Sequence, residues 1–174
     1  MHDRTMTIRP EGRGDATQVR RINELAFGQP AEADLVDRLR EACAESLSLV
    51  AEDEAAVVGH ILFTPVVVES SGQRIVGMGL APMAVLPDRQ RSGIGSQLVT
   101  RGLDALRDRR CPFVVVVGHP EYYPRFGFEP ASRHGLASQW EGMPDAAFMA
   151  IILDPRAMAD VSGVARYRDE FNDA

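Results

Sequence analysis

Residues Leu80–Val99 read LAPMAVLPDRQRSGIGSQLV: an apolar run stops at Pro87, charged residues follow, and Gly93 and Gly95 stand where a helical pattern resumes. Glycine costs a helix interior roughly 1 kcal/mol relative to alanine. Two of them at a helix start therefore mark a place where something comes close to bare backbone. A strand ending near Leu86, a glycine loop and a helix make an anion site, because the first amides of the helix point outward at the positive end of its dipole. Phosphate is the expected guest.

Upstream, TIRP is predicted as a short first strand. Asp15 and Gln18 open a helix with Val19, Ile22, Leu25 and Ala26 on one face, and a second helix after Gln29-Pro30 carries Leu35, Val36, Leu39, Ala42 and Cys43. LSLVAED, AVVGHILFTPVVVE and RIVGMGLAPMAVL are apolar, β-branched and bounded by turn residues, which predicts three strands in an antiparallel meander. Downstream, Ile94, Leu98, Val99, Leu103 and Leu106 share a helix face opposite Arg101, Asp104, Arg107 and Asp108. CPFVVVVG reads as a fully buried strand, parallel to the strand before the glycine loop through a β-α-β crossover. PEYYPRFGF predicts a short turn broken at Gly127, AAFMAIIL another strand, and VARYRDEF a last edge strand in a C-terminal extension over 155–174.

The 174 residues suit one domain, 1–174. A net charge of −6 argues against a general nucleic-acid binder. No apolar window of about 18 residues occurs and MHDRTMTIRP has no apolar signal core, so a cytoplasmic protein without membrane contact is expected. Cys43 and Cys111 read as buried thiols, and His2, His60, His119 and His134 have no metal spacing, so no metal is expected. His60 is expected to be a partly buried structural histidine.

Common phosphate loops are excluded one by one. A Walker loop needs lysine, and all 19 basic residues are arginine. The dinucleotide fingerprint needs a third glycine; Gly93-x-Gly95 meets Leu98 there, and Gly77-x-Gly79 meets Pro82. What remains is the order of elements together with Gln90-x-x-Gly93-x-Gly95 and VVVVGHPEYYPRFGF. These resemble the GNAT superfamily of acyl-CoA-dependent N-acetyltransferases, from Thr7 to about Leu153, and within it a bacterial branch whose substrates are mostly unassigned.

The resemblance implies an α/β (α+β) three-layer fold with a central mixed, mostly antiparallel sheet, fourth and fifth strands that splay apart, and helices on both faces. It implies that backbone amides of Gln90, Arg91, Ser92, Gly93, Ile94, Gly95 and Ser96 hold the coenzyme A pyrophosphate, and that Val85 offers backbone groups to the pantetheine arm or thioester carbonyl. Acetyl-CoA and an unidentified amine acceptor are the implied partners, with the chain a monomer or homodimer. Transfer by direct attack needs an acid for the departing thiolate, and the resemblance places Tyr123 there, five residues before Phe128, with Tyr122 as the core residue of the pair. GMGLAPMAVL carries no acidic residue to serve as base, so His119 is the first candidate, followed by Glu121 and Asp88, with a water chain or a substrate arriving deprotonated as the alternatives. Arg89 and Arg91 are candidates to neutralise phosphates, and Trp140 and Met143 to line the acceptor pocket. The reading from another class is a non-catalytic acyl-CoA-binding module.

Overall fold

A β-strand at Met6–Pro10 (β1) precedes two helices, Ala16–Phe27 (α1) and Ala31–Ala42 (α2), in a computed structural model that describes residues 6–173. His2 lies outside the described residues. Next come β2 (Leu47–Asp53), β3 (Ala56–Ser70), β4 (Gln73–Val85), α3 (Ile94–Asp108) and β5 (Phe113–Val117). The remainder holds β6 (Glu129–Pro130), β7 (Leu136–Ser138), β8 (Phe148–Ile152) and β9 (Gly163–Arg166). Contacts divide the chain into two compact units: one takes in the chain up to Phe63, Pro82–Leu103 and the tail from Glu170, the other Thr64–Ala81 and Asp104–Asp169.

In the first unit β2 runs antiparallel to β1, with Ile8 opposite Ala51, and to β3, with Leu49 opposite Ile61. Glu54 and Ala55, both at positive φ (51° and 66°), make the two-residue turn whose twist suits a hairpin. Because side chains alternate along a strand, Val50, Leu62 and Ala84 meet Val19 and Ile22 of α1 and Leu35, Val36 and Leu39 of α2. Gly59 and Phe63 receive α3: a Cβ at Gly59 would lie 3.0 Å from Ile94 and 3.1 Å from Leu98, and the Phe63 ring fits against Gly102. Helices thus cover both faces of this unit's strands, as expected. All five apolar residues assigned to the inner face of α3 are buried.

Asp15 differs from its expected role. Its side chain makes no capping bond to α1; it accepts from Arg9 at 2.7 and 3.0 Å and from the Gly12 amide at 2.6 Å, which caps the short 3-10 turn Arg13–Asp15 ahead of that helix. The Arg9 guanidinium holds its carboxyl below the usual range. α1 stops at Gly28, whose φ of 70° is the left-handed cap geometry that glycine adopts at least cost.

In the second unit β4 and β5 are parallel over three pairs, Met78–Val114 to Leu80–Val116, and the ladder closes there while β4 itself runs to Val85. This is the expected parallel pair joined near one end. On its other side β5 is antiparallel to β8, so the sheet is mixed. A Cβ at Gly77 would sit 2.6 Å from the Phe113 carbonyl, and one at Gly79 2.7 Å from the Tyr167 ring. The glycine pair that mimics part of a dinucleotide fingerprint is therefore a packing feature. Two expectations change. Val117 is 42% exposed, so only Phe113–Val116 of the valine run is buried. β9 lies between β3 and β7 instead of forming an edge, because the tail folds back antiparallel to β3 and takes β7 alongside in parallel.

Candidate functional site

Each unit carries one of the two regions singled out by the sequence. In the first, β4 ends at Val85 and the Leu86 amide bonds the Val58 carbonyl at 3.0 Å. The Arg89 amide closes a turn on Leu86 (2.8 Å), the Gln90 side chain donates to the Val85 carbonyl (3.0 Å), and the Ser92 hydroxyl donates back to the Arg89 carbonyl. Arg91 takes φ 63° and Gly93 φ 88°. A non-glycine residue in the left-handed region carries strain that concentrates at ligand sites. Nothing lies within 4 Å of where a Gly93 Cβ would stand, so that backbone is open to an incoming group.

The Gln97 amide bonds the Gly93 carbonyl at 3.1 Å, which makes Gly93 the residue on which α3 begins. The amides of Ile94 and Gly95 therefore precede the helical ladder and sit at its positive end. Arg91 is exposed, whereas Arg89 puts Nη1 2.5 Å from Oδ2 of Asp53, which is 5% exposed. Only one of the two arginines proposed for phosphate has its charge free of a buried carboxylate. Ser96 and Gln97, with Met6, Thr7, Ile8, Thr100 and Arg101, also line a cavity of about 410 Å³ in this unit.

In the second unit, β5 gives way to Gly118, whose amide bonds the Ala147 carbonyl (3.0 Å). The His119 carbonyl then accepts from Tyr122 (3.1 Å) and Tyr123 (3.5 Å), and its imidazole is exposed. A 3-10 turn over Tyr123–Phe126 ends at Gly127, φ 103°, as the glycine in PEYYPRFGF predicts. Tyr123 is the buried member of the tyrosine pair, 8% exposed, and Tyr122 is half-buried with the Arg125 guanidinium 4.6 Å above its ring. This reverses the expected assignment. The cause is the turn: it aims Tyr123 inward, edge-on to Phe128 at 5.7 Å and to Tyr122 at 5.1 Å, beside the bare Gly118 backbone. Burial, and after it Tyr122, pushes the Tyr123 phenol up to about 12.

Trp140 packs 4.8 Å from Tyr167 and Met143 is half-buried. His60 is fully buried, beyond the partial burial expected. Cys43 and Cys111 are buried, as expected. Among the described residues no group of three or more His, Cys, Asp or Glu is placed to hold a metal, and no helix is long and apolar enough to cross a membrane. Neither Asp53 nor Gly118 is marked as functional by its neighbours along the chain. Asp53 lies 36 residues before its partner, at the end of a strand, and reads as a turn residue.

Residues 7–131 match the acetyltransferase (GNAT) domain family. The chain is 39% identical over 168 residues to the uncharacterized N-acetyltransferase YhbS of Escherichia coli K12, covering 96% of this chain and 99% of that one. It is 42% identical over 122 residues to the uncharacterized N-acetyltransferase YjhQ of the same strain, covering 69% and 67%. Among solved structures, YhbS from Escherichia coli in complex with CoA superposes with a TM-score of 0.91 at 36% identity, covering 99% of this chain and 94% of that one. A GNAT family acetyltransferase from Brucella melitensis in complex with acetyl-CoA gives 0.79 at 35% identity, covering 97% and 99%.

Proposed function

The chain belongs to the GNAT acetyltransferase family and is an N-acetyltransferase, and from that premise we propose that it moves acetyl from acetyl-CoA to a primary amine by direct attack. Residues 1–174 act as one N-acetyltransferase domain. The observation that carries the reading is the loop over Gln90–Ser96: an open Gly93, a strained Arg91 and the start of α3 fit a pyrophosphate approaching backbone amides. The CoA and acetyl-CoA held by the two solved relatives support that choice of ligand. Arg91, exposed and without an ion pair among the described residues, supplies positive charge, and the Gln90 side chain, by occupying the Val85 carbonyl, steadies the strand end that meets the pantetheine arm.

The amine nitrogen attacks the thioester carbon, forming C–N as the carbonyl electrons move to oxygen; backbone N–H near Val85 steadies that oxyanion. Collapse breaks C–S, the amine proton passes to His119, and the Tyr123 hydroxyl protonates the departing sulfur. A phenol at about 12 is a weaker acid than a free thiol near ~8.5, so this transfer is uphill and is drawn forward as solvent returns a proton to the phenolate. Gly118 leaves room for this ring: an added methyl would overlap the Cε2 edge of Tyr123. Gly118→Ala is expected to cut turnover at least about tenfold while coenzyme A affinity stays at the wild-type value; parallel steady-state and calorimetric titrations check it, and unchanged turnover removes the positioning argument.

Ligand choice is tested by thermal unfolding with increasing coenzyme A or ATP. Saturable stabilisation by coenzyme A, approaching roughly 2.7 kcal/mol at a hundredfold excess over Kd, is expected, with ATP giving far less. Equal stabilisation by both would point to an unselective phosphate site.

A further inference from the structure

The Asp53–Arg89 pair joins the end of β2 to the residue just before the Gln90–Ser96 loop. Asp53 is 5% exposed, Arg89 about a third, and the two are separated by 36 residues of chain. A carboxylate that deep needs a partner, and its other oxygen, Oδ1, is buried without a hydrogen bond among the described residues. Among the described residues Arg89 is the cation paired with this carboxylate, and leaving Asp53 for a phosphate would strand a buried anion.

We propose that Arg89 is a positioning residue: Asp53 anchors it, and the anchored Arg89 holds the pyrophosphate loop in its binding shape before the ligand arrives. The inference rests on the reading that the loop binds coenzyme A. Three bonds converge on the same short segment. The Arg89 guanidinium is fixed to the sheet, its amide turns back to Leu86 at 2.8 Å, and its carbonyl receives the Ser92 hydroxyl. Ser92 directly follows Arg91, so the strained φ of 63° lies between two residues that are tied to each other. Strain of this kind persists only where surrounding bonds over-determine it. With the anchor cut, the loop samples other shapes and coenzyme A must order them on binding, which weakens affinity without removing any contact to the ligand.

The test measures coenzyme A affinity by calorimetry, and loop amide exchange without ligand, in wild type, Asp53→Asn, Arg89→Met and Arg89→Lys. The tether predicts roughly tenfold weaker binding in Asp53→Asn and Arg89→Met, faster exchange confined to about residues 88–96, and substantial recovery in Arg89→Lys, whose ammonium still meets Asp53. If Arg89 touched phosphate directly, Asp53→Asn would free the guanidinium and tighten binding; tighter or unchanged binding overturns the proposal. A uniform rise in exchange across the first unit, with wild-type affinity, makes the pair merely structural and overturns it too. Absence of coenzyme A binding in wild type removes the functional reading itself, a result distinct from either.

Discussion

Tyr123→Phe is expected to lower turnover by about a hundredfold and to leave coenzyme A affinity unchanged, as steady-state rates and calorimetric titration would show. The magnitude is that of losing a general acid whose surroundings stay intact, since the ring keeps its contacts with Phe128, Tyr122 and Gly118. Its pH behaviour separates this role from mere packing. Because burial pushes the phenol up to about 12, it stays protonated through the alkaline range in which thiols and free amines titrate. The wild-type rate should therefore show no fall from this group between about pH 8 and pH 10. An alkaline limb lost in Tyr123→Phe would mean the acid titrates far lower than its burial implies, and full activity in the variant would remove Tyr123 from the chemistry.

Acid is expected to destabilise this protein between about pH 6.5 and pH 4.5 through one buried histidine, His60. Ser48 gives its only proton to Glu11, so His60 Nε2, 2.9 Å from the Ser48 oxygen, must be the donor. His60 Nδ1 then accepts from the Asn23 amide nitrogen at 3.2 Å, and that amide also donates to the Val19 carbonyl at 2.9 Å. A second ring proton would face a donor. Among the described residues the charged groups facing the ring are Glu11, 3.8 Å from Nε2, and Arg40, which is itself 2.5 Å from Glu11 and 2.7 Å from Asp37. Burial first, and the Arg40 charge second, depress His60 to about 3. The unfolded chain binds this proton below about 6.5 and the folded chain does not until about 3, so stability is complete above 6.5 and declines as pH falls. The decline approaches ~1 kcal/mol per pH unit, in a range above the window in which Asp15, whose carboxyl is held low by Arg9, gives up its own contribution. Urea unfolding of wild type and His60→Gln from pH 7 to pH 4.5 checks this: the variant should be nearly flat there, and a slope equal to wild type contradicts the assignment.

The architecture was readable because local signals agreed. Hydrophobic period placed α1, α2, α3 and the five strands β1 to β5, and Gly127 closed its turn where predicted. Errors arose where long-range contacts decide. The valine run looked uniformly buried, yet nothing in four identical side chains says that Val117 lies beyond the parallel ladder. Which of two adjacent tyrosines faces inward depends on a 3-10 turn whose phase no periodicity reveals. Arg89 and Arg91 are equivalent in sequence, and only Asp53, distant along the chain, distinguishes them.

Acetyl transfer to an amine is read out by thiol release from acetyl-CoA, measured against polyamines, aminoglycosides, amino acids and peptides. Amine-dependent, saturable release, accompanied by an acetylated product and sharply reduced in Tyr123→Phe, is the predicted result. Tight coenzyme A binding with no release above the solvent rate for any of these amines would contradict the account and leave an acyl-CoA-binding module in its place.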